Sequence, residues 1–148
     1  MFEAALSAAH TIPHHTWRFL MGGEPERVAR FAALAPDNVT VEGLRDDFRT
    51  ILAQSAASIS LAGYNTTLDL LQTGTPGVLV PFDEGNEVEQ GLRARALSNR
   101  SGIEVCTSDQ LEHLSDCVQR ALAAGPQPPR TRNMDGAAET VRIVANAL

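Results

Sequence analysis

The stretch Gly77-Val-Leu-Val-Pro-Phe82 constrains this chain more than any other. It is too short for a helix and lacks the alternation of a strand with one wet face. Continuous apolar runs of this length belong to strands buried on both faces. Such burial requires helices above and below a parallel sheet, so the flanking segments should read as strand and helix in turn. They do. "TWRFLMGG", "NVTVEGL", "ASISLAG" and "GIEVCT" read as further strands. Between them lie helical patterns: "EPERVARFAAL" with Val28, Phe31 and Ala35 inward, and "RDDFRTILAQSA" with Phe48, Ile51, Leu52 and Ser55 inward and Asp46 as its cap. "NTTLDLLQTG" closes on Gly74, and "NEVEQGLRARALSNR" follows. "TSDQLEHLSDCVQRAL" opens with Thr107 and Gln110 at capping-box spacing and carries Leu111, Leu114, Val118 and Leu122 as its stripe. "AAGPQPPRTRN" is an extended Pro-rich connection, and "DGAAETVRIVANAL" is a last helix. The organisation expected is one Rossmann-like domain over 1–124, then the connection and helix over 125–148.

The chain opens on a helix, "MFEAALSAAH", where a doubly wound domain opens on a strand and a Gly-rich turn. In the strand order 3-2-1-4-5-6 the first strand is central. Here "WRFLM" takes the second place and "SISLAG" the fourth, so an empty slot is expected between them. Unpaired backbone in a core is costly. The expectation is that a strand from elsewhere, in the same protein or a partner, fills it.

Composition excludes several classes. The 148 residues carry a net charge of −6 and no lysine, so nucleic acid is not the expected partner. No run of about 18 apolar residues spans a membrane and no secretory signal is visible. A cytoplasmic location is expected, with Cys106 and Cys117 as free thiols and the three Asn-x-Ser/Thr matches as chance. His10, His14 and His15 crowd together without a carboxylate at metal spacing, and His113 sits among charged neighbours, so no metal is expected.

Ligands of such sheets lie at the carboxyl ends of the strands. There "GYNTTLDLLQTGTPGVLVPFDEGNEVEQ" gathers carboxylates and amides. On the helix from about Asn65 to Thr73, a helical wheel puts Asn65, Asp69 and Gln72 on one side, with Tyr64, Leu68 and Leu71 on another. A helix start with free N–H groups suits a phosphate, and a carboxylate below it suits a diol. Together they suggest a nucleotide, with phosphates at Gly63–Thr66 and ribose at Asp69. The plain alternative is a cap at Asn65 and a solvated Asp69. In the loop, Asp83, Glu84, Asn86, Glu87, Glu89 and Gln90 fit sugar hydroxyls. The alternative there is dipole stabilisation and an ordinary Glu89–Arg93 pair.

Taken together, "GYNTTLDLL", "GTPGVLVPF", "EVEQ" and the following "RA" resemble the C-terminal donor-binding domain of GT-B glycosyltransferases. The family-28-like members, such as the peptidoglycan N-acetylglucosaminyltransferase, are the nearest in pattern, from the first helix through about Leu122. The resemblance implies that Gly63, Tyr64, Asn65 and Thr66 form the turn at the donor diphosphate and Asp69 takes the ribose hydroxyls. It implies that Glu89 and Gln90 hold the sugar, and that Leu44 and Arg45 lie in the loop on the base. It also implies a nucleotide-diphosphate-sugar donor, UDP or dTDP, no cofactor, and an acceptor-binding half or partner chain beyond these residues. The catalytic base would lie in that half, and this chain alone would transfer no sugar. An NDP-sugar 2-epimerase and a non-catalytic nucleotide-sugar-binding module are the rival readings.

Overall fold

A computed structural model describes residues 1–82, 88–130 and 136–146. Five short strands alternate with helices. They are β1 (Trp17–Leu20), β2 (Val39–Glu42), β3 (Ser58–Leu61), β4 (Gly77–Val80) and β5 (Ile103–Val105). The helices are α1 (Phe2–Thr11), α2 (Pro25–Leu34), α3 (Phe48–Ala53), α4 (Tyr64–Thr73), α5 (Glu89–Leu97), α6 (Leu114–Ala124) and α7 (Gly136–Ala145). Every strand pair is parallel. The α/β Rossmann-like architecture is therefore as expected.

The described strands form two sheets. β1 pairs with β2 in one sheet, and β3, β4 and β5 pair in order in a second. One core nevertheless runs under both. Phe19, Met21 and Val39 are buried in the same cluster as Val78, Val80, Leu114 and Val118, with Ala5 and Ala9 of α1 against them. A second cluster on the opposite face joins Leu52, Leu70, Leu79, Ala94 and Ile103. β4 lies between the two layers and is buried at all four positions. Each fully buried Val or Leu contributes about 2 kcal/mol, so this strand anchors the fold.

Local chemistry sets the helix limits. Pro25 opens α2, where its missing N–H costs nothing. Gly74 ends α4 in the left-handed region at φ 70°, and its N–H donates to the Leu70 carbonyl. The next residue, Thr75, is buried and donates its hydroxyl to the Leu52 carbonyl at 2.8 Å, tying α3 to the entry of β4. The Pro-rich segment docks here: Gln127 N–H donates to the Gly74 carbonyl at 2.7 Å and Arg130 N–H to the Leu71 carbonyl at 2.8 Å.

Two local expectations are corrected. The cap position of α3 is Asp47, not Asp46, and its carboxylate binds Arg45 instead of the helix N–H groups. The run from Ser108 is a 3-10 turn to His113 before α6 begins, with Gln110 at non-helical φ −123°. Thr107 makes no side-chain cap there, so the capping-box spacing marks a turn. In α4 the buried residues are Thr67 and Leu70, while Tyr64 is exposed and Leu68 and Leu71 are half-buried. Leu70 joins Leu52 of α3 in the second core cluster.

Candidate functional site

Within the three-stranded sheet β3, β4 and β5 run parallel, so their carboxyl ends share one edge. The segment after β3 turns at Ala62–Gly63 directly into α4. Gly63 is the N-cap residue at φ −62°, ψ 151°, and no side chain caps the helix. Its own backbone would admit any residue, and a Cβ there would meet nothing within 4 Å. The glycine therefore leaves open space at the helix start where three backbone N–H groups emerge.

Arg93 joins this helix start to the next. It projects from α5, and its Nη1 donates to the Ala62 carbonyl at 2.5 Å. Its guanidinium stands 5.7 Å from the centroid of the Tyr64 ring, a cation–π contact. Its Nη2 lies 3.8 Å from a Glu89 carboxylate oxygen one turn back on α5. Gln90 turns the other way: its Oε1 accepts the Phe82 N–H at 3.2 Å, fixing the exit of β4 against the start of α5. So Gly63, Tyr64 and Glu89 form one neighbourhood with Arg93 at its centre, and Gln90 stands beside it at the start of α5. Sequence reading met Arg93 only as an ion-pair partner. Its reach of 31 residues back to Ala62 has no signal in local spacing. Asp83, Glu84, Asn86 and Glu87 lie outside the described residues.

Asp69 sits one turn deeper on α4. It is half-buried, and one carboxylate oxygen lies 3.9 Å from Arg49 Nη1 of α3. Asn65 is exposed and Thr66 half-buried at the first turn.

The loop after β2 is a separate cluster. Arg45 grips Asp47 with two bonds, Nε at 2.7 Å and Nη2 at 2.9 Å, and reaches Glu42 at 3.3 Å. Glu42 also accepts two bonds from Arg18, at 2.7 and 3.1 Å. Those hydrogen bonds hold the Glu42 carboxyl below its ordinary range, with Arg18 the main cause, and Arg45 does the same for Asp47. The Arg45 guanidinium is thus occupied in shaping the loop, and what the loop offers outward is the exposed Leu44 side chain and backbone. No described hydrogen bond or ion pair joins Leu44 or Arg45 to the Arg93 neighbourhood. Leu61, Tyr64, Phe82, Val88 and Leu92 are also exposed along this edge, an apolar rim around the polar centre.

Among the described residues no three His, Cys, Asp or Glu side chains come together as metal ligands, and His10, His14, His15 and His113 are exposed. Among the described residues no helix is long and apolar enough to cross a membrane.

Known proteins share this fold. Residues 20–146 match the model of the glycosyltransferase family 28 C-terminal domain. The UDP-N-acetylglucosamine–N-acetylmuramyl-(pentapeptide) pyrophosphoryl-undecaprenol N-acetylglucosamine transferase of Phenylobacterium zucineum (strain HLK1) is 29% identical over 94 residues, covering 62% of this chain and 25% of that protein. The crystal structure of glycosyltransferase VinC in complex with dTDP superposes with a TM-score of 0.63 at 21% identity, over 81% of this chain and 29% of that one. The crystal structure of Acinetobacter baumannii MurG gives 0.55 at 20% identity, over 72% and 36%. These folds are shared, and the chain spans about a quarter to a third of the relatives it matches. With more than four-fifths of its length inside the family model, the chain belongs to the glycosyltransferase family 28 C-terminal domain family.

Proposed function

We propose that this chain binds the donor of a glycosyl transfer, a nucleotide-diphosphate-sugar, at the carboxyl edge of its sheet. The observation that carries the reading is the convergence of two helix starts on Arg93. A diphosphate needs positive charge without steric bulk. The uncapped N–H groups of Tyr64, Asn65 and Thr66 supply directed donors, Gly63 leaves room for close approach, and Arg93 brings a full charge to the same place. As the glycosidic bond to the diphosphate breaks, charge grows on the leaving phosphate. Donors fixed in advance stabilise that charge without reorganising. In this reading Asp69 takes the ribose hydroxyls, Glu89 and Gln90 take sugar hydroxyls, and Leu44 with the Arg45-shaped loop lies on the base. UDP or dTDP is the nucleotide, and no cofactor takes part. The acceptor and the catalytic base come from a further domain or partner chain, for which the apolar rim of Leu61, Phe82 and Val88 offers a landing surface. Two buried free thiols suit a reducing compartment, the cytoplasm.

The test separates the two halves of the ligand. Asp69→Ala should weaken binding of the bare nucleoside diphosphate by about 2–4 kcal/mol, the worth of two charge-assisted hydrogen bonds. Gln90→Ala should weaken the nucleotide-sugar and spare the bare nucleotide. Unaltered nucleotide affinity in the first variant, or equal losses for both ligands in the second, would remove those roles.

A further inference from the structure

A cavity of about 390 Å³ lies at the amino ends of β4 and β5, the edge of the sheet opposite the start of α4. α4 joins the two edges. Its ten residues span about 15 Å, so the cavity at Gly74 stands a helix length from Gly63 and the Arg93 neighbourhood. The floor is apolar, with Leu70 and Ile103 of the second core cluster and Leu71 beside them. The Pro-rich segment closes one side through Pro128 and Pro129. That side is fastened, since the Gln127 and Arg130 N–H groups donate to the Gly74 and Leu71 carbonyls. A Cβ on Gly102 would meet the Gln127 side chain at 2.7 Å, so the bare backbone there keeps its seat clear.

Charge sets this cavity apart. Arg18, Arg45, Arg49, Arg93 and Arg120 face carboxylates, and Arg27 and Arg30 stand over aromatic rings. Arg100 and Arg130 both line the cavity. Among the described residues their side chains make no hydrogen bond or ion pair, and no carboxylate lines the cavity with them. Two unanswered guanidiniums beside an apolar floor fit a ligand that is anionic at one end and apolar at the other. A dry cavity of about 150 Å³ already holds benzene, so this one admits a ring together with its acid group.

We propose that this cavity binds a small organic anion, an apolar acid whose carboxylate or phosphate pairs with Arg100 and Arg130 while its body covers Leu70, Leu71 and Ile103. The bound acid touches α4, the turn into β5 and the Pro-rich segment at once, so it fastens that segment to the sheet. The inference rests on this cavity alone and is independent of the nucleotide reading.

Residue-resolved amide spectra of the 148-residue chain test it, in titrations with benzoate, phenyl phosphate and the neutral benzyl alcohol. At least one of the two anions should shift the Leu71, Gly74, Ser101 and Gln127 amides saturably, and the tighter one identifies the acid group. Benzyl alcohol should bind at least about tenfold more weakly, as expected where a charged hydrogen bond is lost. The bound anion should also slow exchange at the Gln127 and Arg130 amides. Arg100→Gln with Arg130→Gln should weaken the anion by about tenfold or more and leave the alcohol unchanged. The alcohol comparison uses the unaltered chain, so it stands whatever the double variant does to folding. No saturable shift with either anion would overturn the proposal, as would benzyl alcohol binding as tightly as both. Shifts confined to Gly63–Thr66 would overturn it too, since the anion would then have chosen the helix start.

Discussion

The two-stranded and three-stranded parts of this molecule are built alike and covered differently. Both are parallel, with four-residue strands at their centres. The three-stranded part is sandwiched: one core layer lies on one face of β4 and the other layer on its opposite face. The β1–β2 pair is covered on one face only. Phe19 packs inward with Phe2, 6.0 Å between ring centroids, and Phe2 in turn meets Phe31 of α2 at 5.8 Å. On the outer face stand Arg18 and Thr40, exposed, with Arg18 bridged to Glu42. The difference teaches where rigidity and chemistry coincide. The Gly63–Arg93 neighbourhood grows from the ends of β3 and β4, of which β4 is buried throughout. The Leu44–Arg45 loop grows from β2, whose support depends on α1 and α2.

The largest test of this contrast is a matched pair of truncations. Leu79→Ala removes a side chain enclosed in β4 and should cost about 3 kcal/mol in denaturant unfolding. Leu20→Ala, half-buried at the end of β1, should cost under about 1 kcal/mol. Equal losses would show that the two parts are equally supported. Next in size is Gly74→Ala. The residue sits at φ 70°, and a Cβ there would collide with the Gln127 carbonyl. A loss of about 1–2 kcal/mol is expected, with faster exchange at the Gln127 and Arg130 amides as the Pro-rich segment lifts. A loss of stability without that faster exchange would show that the segment is not held there.

Smaller effects come from the titrating groups. Burial, with Cys117 beside it, pushes the Cys106 thiol up to about 11 from 9.0. Folding therefore opposes its ionisation: the stability tied to the neutral thiol is intact below the unfolded pKa and is lost as pH rises from there toward 11. Thiol reagents near neutral pH should label Cys106 at the rate of unfolding, and rapid labelling of native protein would contradict its burial. Smallest of all is the outer face of β1–β2. Glu42 and Asp47 have lowered folded pKa values, so their contribution is present above the unfolded carboxyl range and fades as pH falls through the folded values. Both are solvent-screened, so Glu42→Gln should leave the unfolding midpoint at neutral pH unchanged within error. A clear drop would show that the pair supports the sheet.

Much of this was legible in the sequence. The unbroken apolar run of β4, the Gly74 stop and the strand–helix alternation gave the architecture, because burial on both faces and left-handed caps leave local marks. Boundaries governed by competition were not legible. Asp47 carries a capping side chain but gives it to Arg45, and Thr107–Gln110 has capping-box spacing yet opens a 3-10 turn. The place of the Tyr64 ring, outside against Arg93, left no mark in local spacing. Arg93 itself was hidden, since what makes it central is a tertiary reach to Ala62 and not its spacing.

The claim that joins these points is that the carboxyl edge of the well-buried sheet binds a nucleoside diphosphate through Arg93 and the start of α4. Calorimetric titration of the chain with UDP, dTDP and GDP, beside its Arg93→Ala variant, tests it most directly. The account predicts saturable binding of UDP or dTDP, with affinity falling at least about tenfold in the variant as the charged hydrogen bonds to the diphosphate are lost. Absence of binding by all three nucleotides, or a variant that binds as tightly as the parent, would contradict it.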